Sequence, residues 1–395
     1  MLPKTISMLK CTSRLIWLRS LTKLANKLEN NSEDRMQAWQ IHSYNGVDDL
    51  QLTNVRMPTI RNPTDVLVKV EASSVNPIDI AMTNGYGTTT LNLMRKVNCS
   101  RAHDELELPL TLGRDFAGVV VSKGFNVGDK FKLGEEVWGV VPLEQQGCHA
   151  NYVVVNSDIV RSRPQRLSYT EAASILYAGL TAWSALWYTG GLYYKTALFT
   201  RNKRVLVMGG SGGVGTIAIQ LLKAWNMNVI TTCSSDAVET LQNLGADVVI
   251  DYKQEDADRQ IISEGPYDII LDCARQGPEQ VRMKGYPYNT YVTLSSPMLK
   301  NFDQYGLVLG AFQNVGDIVK LNIPITQNKG CVKWGFFLPS QRGISVIQEL
   351  VENGKIVPVV QQVYPFQDLS LAYKRMNQGH MRGKLVVDMK TTRDD

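Results

Sequence analysis

The sequence has few of the side chains from which metal centres and disulfide frameworks are built. Its 395 residues include six cysteines and four histidines, and no two cysteines form a CxxC pair. A disulfide framework, a structural zinc cluster and a histidine-rich metal site are therefore unsupported. Cys148 and His149 are adjacent, but neighbouring residues on a strand point to opposite faces and would make a poor chelate. The sequence predicts no bound metal.

Long apolar runs and an excess of one charge over most of the chain are also lacking. No segment approaches the ~18 consecutive apolar residues of a transmembrane helix, so we predict no membrane span. The chain has 42 basic and 37 acidic residues, and residues 1–35 hold seven of the basic and three of the acidic ones. The remaining 35 basic and 34 acidic residues nearly balance, which gives no reason to expect a nucleic-acid partner.

The first 35 residues have the composition of a targeting sequence. No acidic residue precedes Glu29, and serines and threonines are interspersed among the basic side chains. Wound as a helix, the segment places Arg19, Lys23 and Lys27 on one face and leucines opposite. An amphipathic, acid-poor leader of this kind is typical of a mitochondrial transit peptide, so we predict a mitochondrial location, with the matrix favoured. A basic surface helix is the alternative, and the sequence does not give the cleavage point.

The glycine-rich stretch in the middle of the chain is its most informative motif. Arg204–Met208 predicts a short apolar strand, Gly209–Gly215 follows as GGSGGVG, and an apolar helix then begins. Glycines at a strand-to-helix junction permit a tight turn and let a pyrophosphate approach the N–H groups of the helix N-terminus. The motif therefore predicts a dinucleotide site, with a purely structural turn as the alternative.

The segments after this motif continue the alternation of strands and helices. Their near-continuous apolar strands are what a parallel sheet covered on both faces needs. We therefore predict an α/β fold containing a Rossmann doubly wound parallel sheet. The predicted strands are Asn228–Cys233, Asp247–Tyr252 and Tyr267–Ala274, with a helix over Ser235–Leu244.

The residues after the predicted strand Asn228–Cys233 bear on the choice of cofactor. NAD-binding folds usually place an acidic residue there to bind the ribose 2′-hydroxyl, whereas this chain has Ser234 and Ser235, with Asp236 one step further on. Small hydroxyls can donate to a 2′-phosphate without repelling it, and Tyr252 is expected to approach the same pocket from the third strand. We predict NADPH rather than NADH. Capping of the following helix by the serines is compatible with this.

Outside the nucleotide-binding part, the chain is rich in β-like runs and ends in a short mixed tail. Such a layout is that of a two-domain oxidoreductase. The β-like runs are Asp65–Val70, Ala117–Ser122, Glu136–Val141 and Ala150–Val155, and the tail has helical patterns near Ile344–Asn353 and Asp368–Gln378 and a final strand over Lys384–Asp388.

Several stretches resemble the medium-chain dehydrogenase/reductase superfamily, in its zinc-free quinone oxidoreductase branch. The resemblance covers nearly everything after residue 36. It implies a transit peptide over 1–35, a GroES-like β-rich catalytic domain over 36–165 that is completed by 338–395, and a Rossmann NADPH-binding domain over 166–337. The stretches that carry it are Ser74–Asp79, Gly113–Gly118, Gly209–Gly215, Leu244–Asp247 and Gly379–Lys384.

One departure from the zinc alcohol dehydrogenases of this superfamily bears on the chemistry. Those enzymes carry Gly-His-Glu, with the histidine as a zinc ligand, where this chain has Gly113, Arg114 and Asp115. Arginine does not give up its proton to bind a metal. Without a Lewis acid to polarise a carbonyl, an acceptor that takes hydride readily, such as a quinone, fits better than an alcohol.

The resemblance also implies which residues surround the cofactor and the substrate. Asn76 and Tyr86 would lie at the lip of the cleft, where Asn76 hydrogen-bonds a carbonyl and Tyr86 donates a proton. The alternatives are an Asn-Pro turn starter and an aromatic ring that only packs. The expected cofactor contacts are Ser211, Gly212, Gly213 and Val214 at the pyrophosphate, Ser234 and Tyr252 at the 2′-phosphate, Leu294, Gly335 and Phe337 at the carboxamide, and His380 and Arg382 at phosphate or ribose.

Residues 87–110 are predicted to form a long connection between Tyr86 and the Gly113 strand. Loops of this length are often lids or binding loops, and Leu91, Leu93 and Met94 would then cover a hydrophobic quinone. An inert surface excursion is the alternative.

These observations together predict a mitochondrial NADPH-dependent quinone oxidoreductase that works without zinc. The resemblance implies a role in ubiquinone metabolism and respiration, and it leaves open a homo-oligomer and a reticulon-type protein partner. Two alternatives remain. One is an NADPH-dependent 2-enoyl thioester reductase in which Tyr86 protonates the substrate. The other is a non-enzymatic NADPH-binding scaffold, because a fold does not guarantee chemistry.

Overall fold

A computed structural model describes residues 35–98, 107–194, 203–323 and 330–390. The predicted transit peptide lies outside these ranges except for Arg35. Within them, the chain forms a small antiparallel sheet, a mixed sheet and a parallel sheet. The strands are β1 Arg35–Ile41, β2 Gln51–Arg56, β3 Asp65–Val75, β4 Leu110–Thr111, β5 Asp115–Lys123, β6 Glu136–Val140, β7 Tyr152–Asn156, β8 Val160–Ser162, β9 Arg204–Met208, β10 Asn228–Cys233, β11 Val248–Asp251, β12 Tyr267–Asp272, β13 Tyr288–Thr293, β14 Cys331–Trp334, β15 Val360–Pro365 and β16 Lys384–Asp388.

Helices cover both faces of the parallel sheet and pack beside the mixed one. The α-helices are Pro77–Thr83, Thr88–Asn98, Tyr169–Ala173, Leu176–Ser184, Gly213–Ala224, Val238–Asn243, Ala257–Ser263, Pro278–Met283, Met298–Asn322, Gln341–Glu352 and Leu369–Asn377. Shorter 3-10 turns are Val47–Asp49, Phe125–Lys130, Ser157–Ile159, Leu192–Tyr194, Ser235–Ala237 and Phe366–Asp368, and a π-helical turn occupies Ala185–Thr189. Among the described residues, no helix combines the length and apolarity that crossing a bilayer requires.

The parallel sheet confirms the predicted doubly wound fold. Its strands lie in the order β11-β10-β9-β12-β13-β14, and every pairing is parallel. The order changes direction at β9, and the glycine turn follows this strand directly. A crevice therefore opens at the carboxyl ends of the strands next to the glycines, which is where open α/β sheets bind ligands.

The mixed sheet joins strands from both ends of the chain. Its order is β15-β16-β3-β5-β6-β8, and β7 pairs with β3 as well. The last strand, β16, runs antiparallel to β3, with Leu385 opposite Val75 and Val387 opposite Ser73. The first residue of β16, Lys384, consequently comes close to Asn76, which directly follows β3.

The largest apolar cluster spans both sheets. It runs from Trp138 of the mixed sheet through Leu180 and Trp183 to Val205 and Val207 of the parallel sheet. All five side chains are at most 1% exposed. Burial of apolar surface is the main favourable contribution to folding, so this shared core fixes the two sheets against each other.

The segment after Tyr86 corrects one sequence-based expectation. Residues 88–98 form an α-helix rather than a loop, and residues 99–106 lie outside the described residues. Leu91 is buried at 4% exposure in the core beside the small sheet, whereas Leu93 and Met94 are 43% and 41% exposed. The helix was missed because its start, Gly-Thr-Thr-Thr, has weak helix propensity.

A side chain from the parallel-sheet side stabilises the start of this helix. Asp303, on the Met298–Asn322 helix, accepts hydrogen bonds from the amides of Gly87 at 2.7 Å and Thr89 at 2.9 Å. It therefore serves as an N-cap supplied from more than 200 residues away. The same contact joins the two helices across the mouth of the cleft.

We expect Asp303→Ala to lower the free energy of unfolding by about 1 kcal/mol, because replacing a capping side chain by alanine typically costs this much. Denaturant unfolding measures the change. Asp129→Ala, at an exposed position, is the matched control. Equal stability of the two variants would show that Asp303 does not cap the helix.

Candidate active site

The glycine turn has the geometry of a pyrophosphate cradle. A Cβ atom placed on Gly215 would lie 2.4 Å from the carbonyl oxygen of Gly209, so only glycine allows this close approach. The helix that begins at Gly213 receives no side-chain cap on its first turn. Its N–H groups are therefore available to an anion, and the positive end of the helix dipole favours one.

The tail of the chain lies directly against this turn. The amide of Gly383 donates to the carbonyl of Ser211 at 2.8 Å, and Gly212 and Gly383 form an isolated parallel bridge. This contact brings Arg382 to the cofactor side and Lys384 to the catalytic side. The sequence indicated roles for the tail but not this direct docking.

Arg382 meets the residues predicted to bind the 2′-phosphate. Its guanidinium donates to Ser234 Oγ at 2.5 Å and to Asp236 Oδ1 and Oδ2 at 2.9 and 2.8 Å, and it lies 3.4 Å from Ser211 Oγ. Hydrogen bonds from Arg382 lower the pKa of Asp236, and those to Asp236 raise the pKa of Arg382. Arg382 is therefore ion-paired, and its side chain is 31% exposed. The pairing role of Asp236 was missed.

The other two predicted residues on this side are less engaged. The Tyr252 side chain is 49% exposed, and its amide donates to the carbonyl of Cys233 at the edge of the same pocket. His380 is exposed and has a left-handed backbone with φ of 50°. Within the described residues, its ring has no hydrogen-bond partner. The structure thus does not bring His380 into the Arg382 cluster.

The three residues predicted at the carboxamide end lie together. Leu294 and Gly335 follow β13 and β14, which are in register at Thr293 and Trp334. The amide of Gly335 donates to the carbonyl of Thr293 at 2.8 Å. Phe337 stacks on Tyr177 with ring centroids 4.3 Å apart, which places an aromatic wall beside the crevice.

Asn76 departs from its expected position at the lip of the cleft. It is only 2% exposed, and it caps the Pro77–Thr83 helix, in a capping box with Asp79. Its Nδ2 donates to Asp115 Oδ1 at 3.1 Å, and its Oδ1 accepts a hydrogen bond from Lys384 Nζ. The Asn76 side chain is therefore held between Asp115 and Lys384, and its predicted hydrogen bond to a substrate carbonyl stays a prediction.

A buried network of four charges lies below the crevice. Asp79, Arg114 and Asp115 are fully buried and Lys384 is 4% exposed. Lys384 Nζ lies 3.7 Å from Asp115, and Arg114 Nε lies 3.8 Å from Asp79. Burial raises the pKa values of both carboxyl groups and lowers that of Lys384. Two cations face two anions, so the network is balanced.

Arg114, the residue that departs from the zinc pattern, is held by main-chain carbonyls. Its guanidinium donates to the carbonyls of Pro142 at 2.9 Å and Gln145 at 2.8 Å.

Burial lowers the pKa of nearby His149 to about 4, and its ring nitrogens contact Tyr373 Oη and the Ser74 carbonyl. In the part of the chain that the structure describes, no three His, Cys, Asp or Glu side chains are grouped to hold a metal.

Tyr86 lines a small cavity beside the Thr88–Asn98 helix. Its neighbours there include Tyr44, Met82, Arg95 and Glu107. Burial, followed by the negative charge of Asp303, raises the pKa of the Tyr86 hydroxyl. The phenol is therefore protonated at neutral pH, which is the state that a proton donor requires.

Comparison with known proteins agrees with this two-part site. Residues 62–165 match the family model described as the alcohol dehydrogenase GroES-like domain, and residues 244–387 match the one described as zinc-binding dehydrogenase. The mitochondrial NAD(P)H oxidoreductase RTN4IP1 of Drosophila melanogaster is 46% identical over 93% of this chain and 89% of its own length. This chain belongs to the medium-chain dehydrogenase/reductase superfamily. The predicted fold, a GroES-like part with a Rossmann sheet, is confirmed.

Two further members of the superfamily extend the comparison. The mitochondrial reticulon-4-interacting protein 1 of Caenorhabditis elegans is 35% identical over 89% of this chain and 94% of its own. The solved structure of the quinone oxidoreductase from Coxiella burnetii has a TM-score of 0.70 and 26% identity, covering 90% of this chain and 100% of its own. Both sequence relatives are named mitochondrial, which confirms the mitochondrial location predicted from the leader.

Proposed function

We propose that the protein is an NADPH-dependent quinone oxidoreductase of the mitochondrial matrix that supports ubiquinone metabolism and respiration. The observation that carries the proposal is the buried Arg114. It occupies the place of a zinc ligand and directs its guanidinium to two carbonyls. Such a donor set does not suit a Lewis acid for alcohol oxidation, whereas a quinone accepts hydride without one. The name of the Coxiella neighbour agrees with this acceptor.

NADPH fits the residues around the glycine turn. The turn between Ser211 and Val214 would hold the pyrophosphate, and Arg382 with Ser234 would hold the 2′-phosphate. The phosphate would replace the Asp236 carboxylate as the partner of Arg382, since both are anions that bind a guanidinium in a bidentate manner. When bound, the nicotinamide supplies the hydride. We further propose a division into a GroES-like domain, 36–165 with 338–395, and a Rossmann domain, 166–337.

The chain's own residues would orient the acceptor and supply a proton. Reduction of a quinone to a hydroquinone takes one hydride and one proton, and the Tyr86 phenol would donate that proton to the reduced quinone oxygen. The stacked rings of Phe337 and Tyr177 exclude water from one wall of the crevice. Positioning and water exclusion are what a protein contributes when a cofactor carries the chemistry.

A 2-enoyl thioester reductase is the second candidate, and the protonated Tyr86 favours it as well. Protonation of the substrate by a phenol would follow hydride transfer to an activated double bond. A homo-oligomer and a reticulon-type partner remain predictions; the name of the Caenorhabditis relative agrees with the latter.

We expect the purified protein to oxidise NADPH when short-chain ubiquinone analogues are supplied. Stopped-flow absorbance of NADPH measures the rate, and a crotonyl thioester offered in a parallel assay separates the second candidate. The Gly215→Val variant, which would force a side chain against Gly209, is the control without a functional pyrophosphate site. Absence of turnover with every quinone would refute the proposed activity.

We expect Tyr86→Phe to lower kcat by about 10²-fold, because it removes only the hydroxyl that donates the proton. NADPH affinity should stay unchanged, since the cofactor contacts are made by other residues. Steady-state kinetics and a binding titration give the two values. Tyr188→Phe, whose ring packs against Trp183 away from the cleft mouth, is the control. Wild-type turnover by Tyr86→Phe with every acceptor would make Tyr86 a packing residue.

We expect Arg382→Met to raise the Kd for NADPH roughly 10- to 100-fold, as loss of hydrogen bonds to a charged group does. The Kd for NADH should change little. Asp236→Asn removes a carboxylate that repels the 2′-phosphate, so it should lower the Kd for NADPH and raise that for NADH. Calorimetric titrations with both cofactors measure these shifts. Parallel changes for the two cofactors would contradict a 2′-phosphate site at Arg382.

A further inference from the structure

Lys384 lies at the contact between the glycine turn and the catalytic residues. Its aliphatic stem runs along the turn, and a Cβ atom placed on Gly213 would lie 2.7 Å from Lys384 Cδ and 3.3 Å from Lys384 Cγ. Real Cβ atoms essentially never come within 3.0 Å of another heavy atom in this way. The missing side chain of Gly213 therefore makes room for Lys384.

The other end of the same side chain reaches the buried network. Lys384 Nζ donates to Asn76 Oδ1 and lies 3.7 Å from Asp115 Oδ2. Because Asn76 Oδ1 accepts a hydrogen bond from the Lys384 ammonium, the Asn76 amide is oriented with Nδ2 towards Asp115. Asn76 Nδ2 lies 3.1 Å from Asp115 Oδ1. Asp115 also accepts hydrogen bonds from the Ser74 hydroxyl and from the amide of Tyr177. Tyr177 in turn stacks on Phe337.

The main chain keeps Lys384 in this place independently of its side chain. Its amide donates to the carbonyl of Val359 at 2.9 Å, and the preceding Gly383 donates to Ser211 at 2.8 Å. Gly383 has a φ of 84°, and a Cβ there would lie 2.1 Å from the Val359 carbonyl. The backbone thus presents the lysine between the turn and Asn76 with little freedom to move away.

We propose that Lys384 is a positioning residue that couples the cofactor turn to the catalytic residues. Its stem fills the space beside Gly213, and its ammonium orients Asn76 and Asp115. Displacement of the glycine turn then displaces the Asn76 amide and the Asp115 carboxylate. A cofactor bound to the turn therefore holds these two groups in place beside the stacked rings of Tyr177 and Phe337. The binding part of this inference needs only a dinucleotide; its kinetic part rests on the proposed quinone reduction.

A double-mutant cycle on the intact protein tests the steric half of the proposal. Gly213→Ala should raise the Kd for NADPH about tenfold, because the added methyl group overlaps Lys384. Combining it with Lys384→Ala, which removes Cγ and Cδ, should return the Kd close to that of Lys384→Ala alone. Quenching of NADPH fluorescence measures each Kd without turnover, and thermal melting shows that each variant is folded. Should Lys384→Ala not fold, Lys384→Val replaces it, because valine lacks Cδ, Cε and Nζ and suits a strand.

Lys384→Met tests the electrostatic half, because it retains a stem of similar length and loses the ammonium. We expect the Kd for NADPH to stay near the wild-type value, while kcat falls about tenfold through loss of a hydrogen bond to a charged group and KM for the acceptor stays unchanged. Lys390→Met, on the same tail, where the exposed lysine pairs with the buried Glu71, controls for loss of a lysine charge.

The outcomes are separable. A double variant that binds NADPH no better than Gly213→Ala would overturn the steric coupling, since Gly213 would then serve the pyrophosphate alone. Wild-type kcat in Lys384→Met would overturn the orienting role of the ammonium. If no quinone is reduced by the wild-type protein, the proposed function fails, while the binding cycle still decides whether Lys384 and the turn are coupled.

Discussion

The docking of the tail residues Met381–Lys384 onto the glycine turn is the contact on which the site depends. Gly383 hydrogen-bonds to the turn through Ser211, and the strand that starts at Lys384 pairs at once with β3 of the mixed sheet. One short stretch is thereby bonded to both halves of the molecule. Alternate side chains then reach different places, Arg382 contacting Ser234 and Asp236, and Lys384 contacting Asn76. Without this docking, neither the Arg382 cluster nor the Asn76 network would be complete.

The buried network of Asp79, Arg114, Asp115 and Lys384 is the second constraint on the candidate site. Charged groups in an interior are costly to desolvate, and removal of one partner from a buried pair typically costs about 3–5 kcal/mol. Here each charge has an opposite charge and at least one main-chain or amide partner, as Asp79 has in the amides of Asn76 and Gly113. The four side chains therefore hold one another in place beneath the crevice. Replacement of any one of them is expected to lower the free energy of unfolding.

Local patterns allowed much of the fold to be predicted. Three strands have the predicted bounds, namely Arg204–Met208, Asn228–Cys233 and Lys384–Asp388. They could be predicted because a short run of apolar, β-branched residues next to glycine or serine forms a strand with little dependence on distant residues. The strands β13 and β14 and the Met298–Asn322 helix were not identified. That segment is interrupted by a non-helical backbone at Gly306, and it buries Asn301 and Asn314 while Leu309 and Phe312 are exposed. Its pattern is therefore not that of an ordinary surface helix with an apolar buried face.

The site itself was predictable only as far as its chemistry is local. The glycine turn carries its function in seven consecutive residues, whereas Arg382 and Asp236 meet across 146 residues and Lys384 and Asn76 across 308. The residue types suggested that Arg382 would bind a phosphate and that the Asn76 amide would bind a carbonyl. They did not indicate which side chains the two residues contact in the folded chain. For Arg382 one partner, Ser234, is a residue predicted for the same pocket, whereas the second, Asp236, is not. For Asn76 the lysine and the carboxylate contact the two ends of the amide, and neither contact could be foreseen from the local sequence.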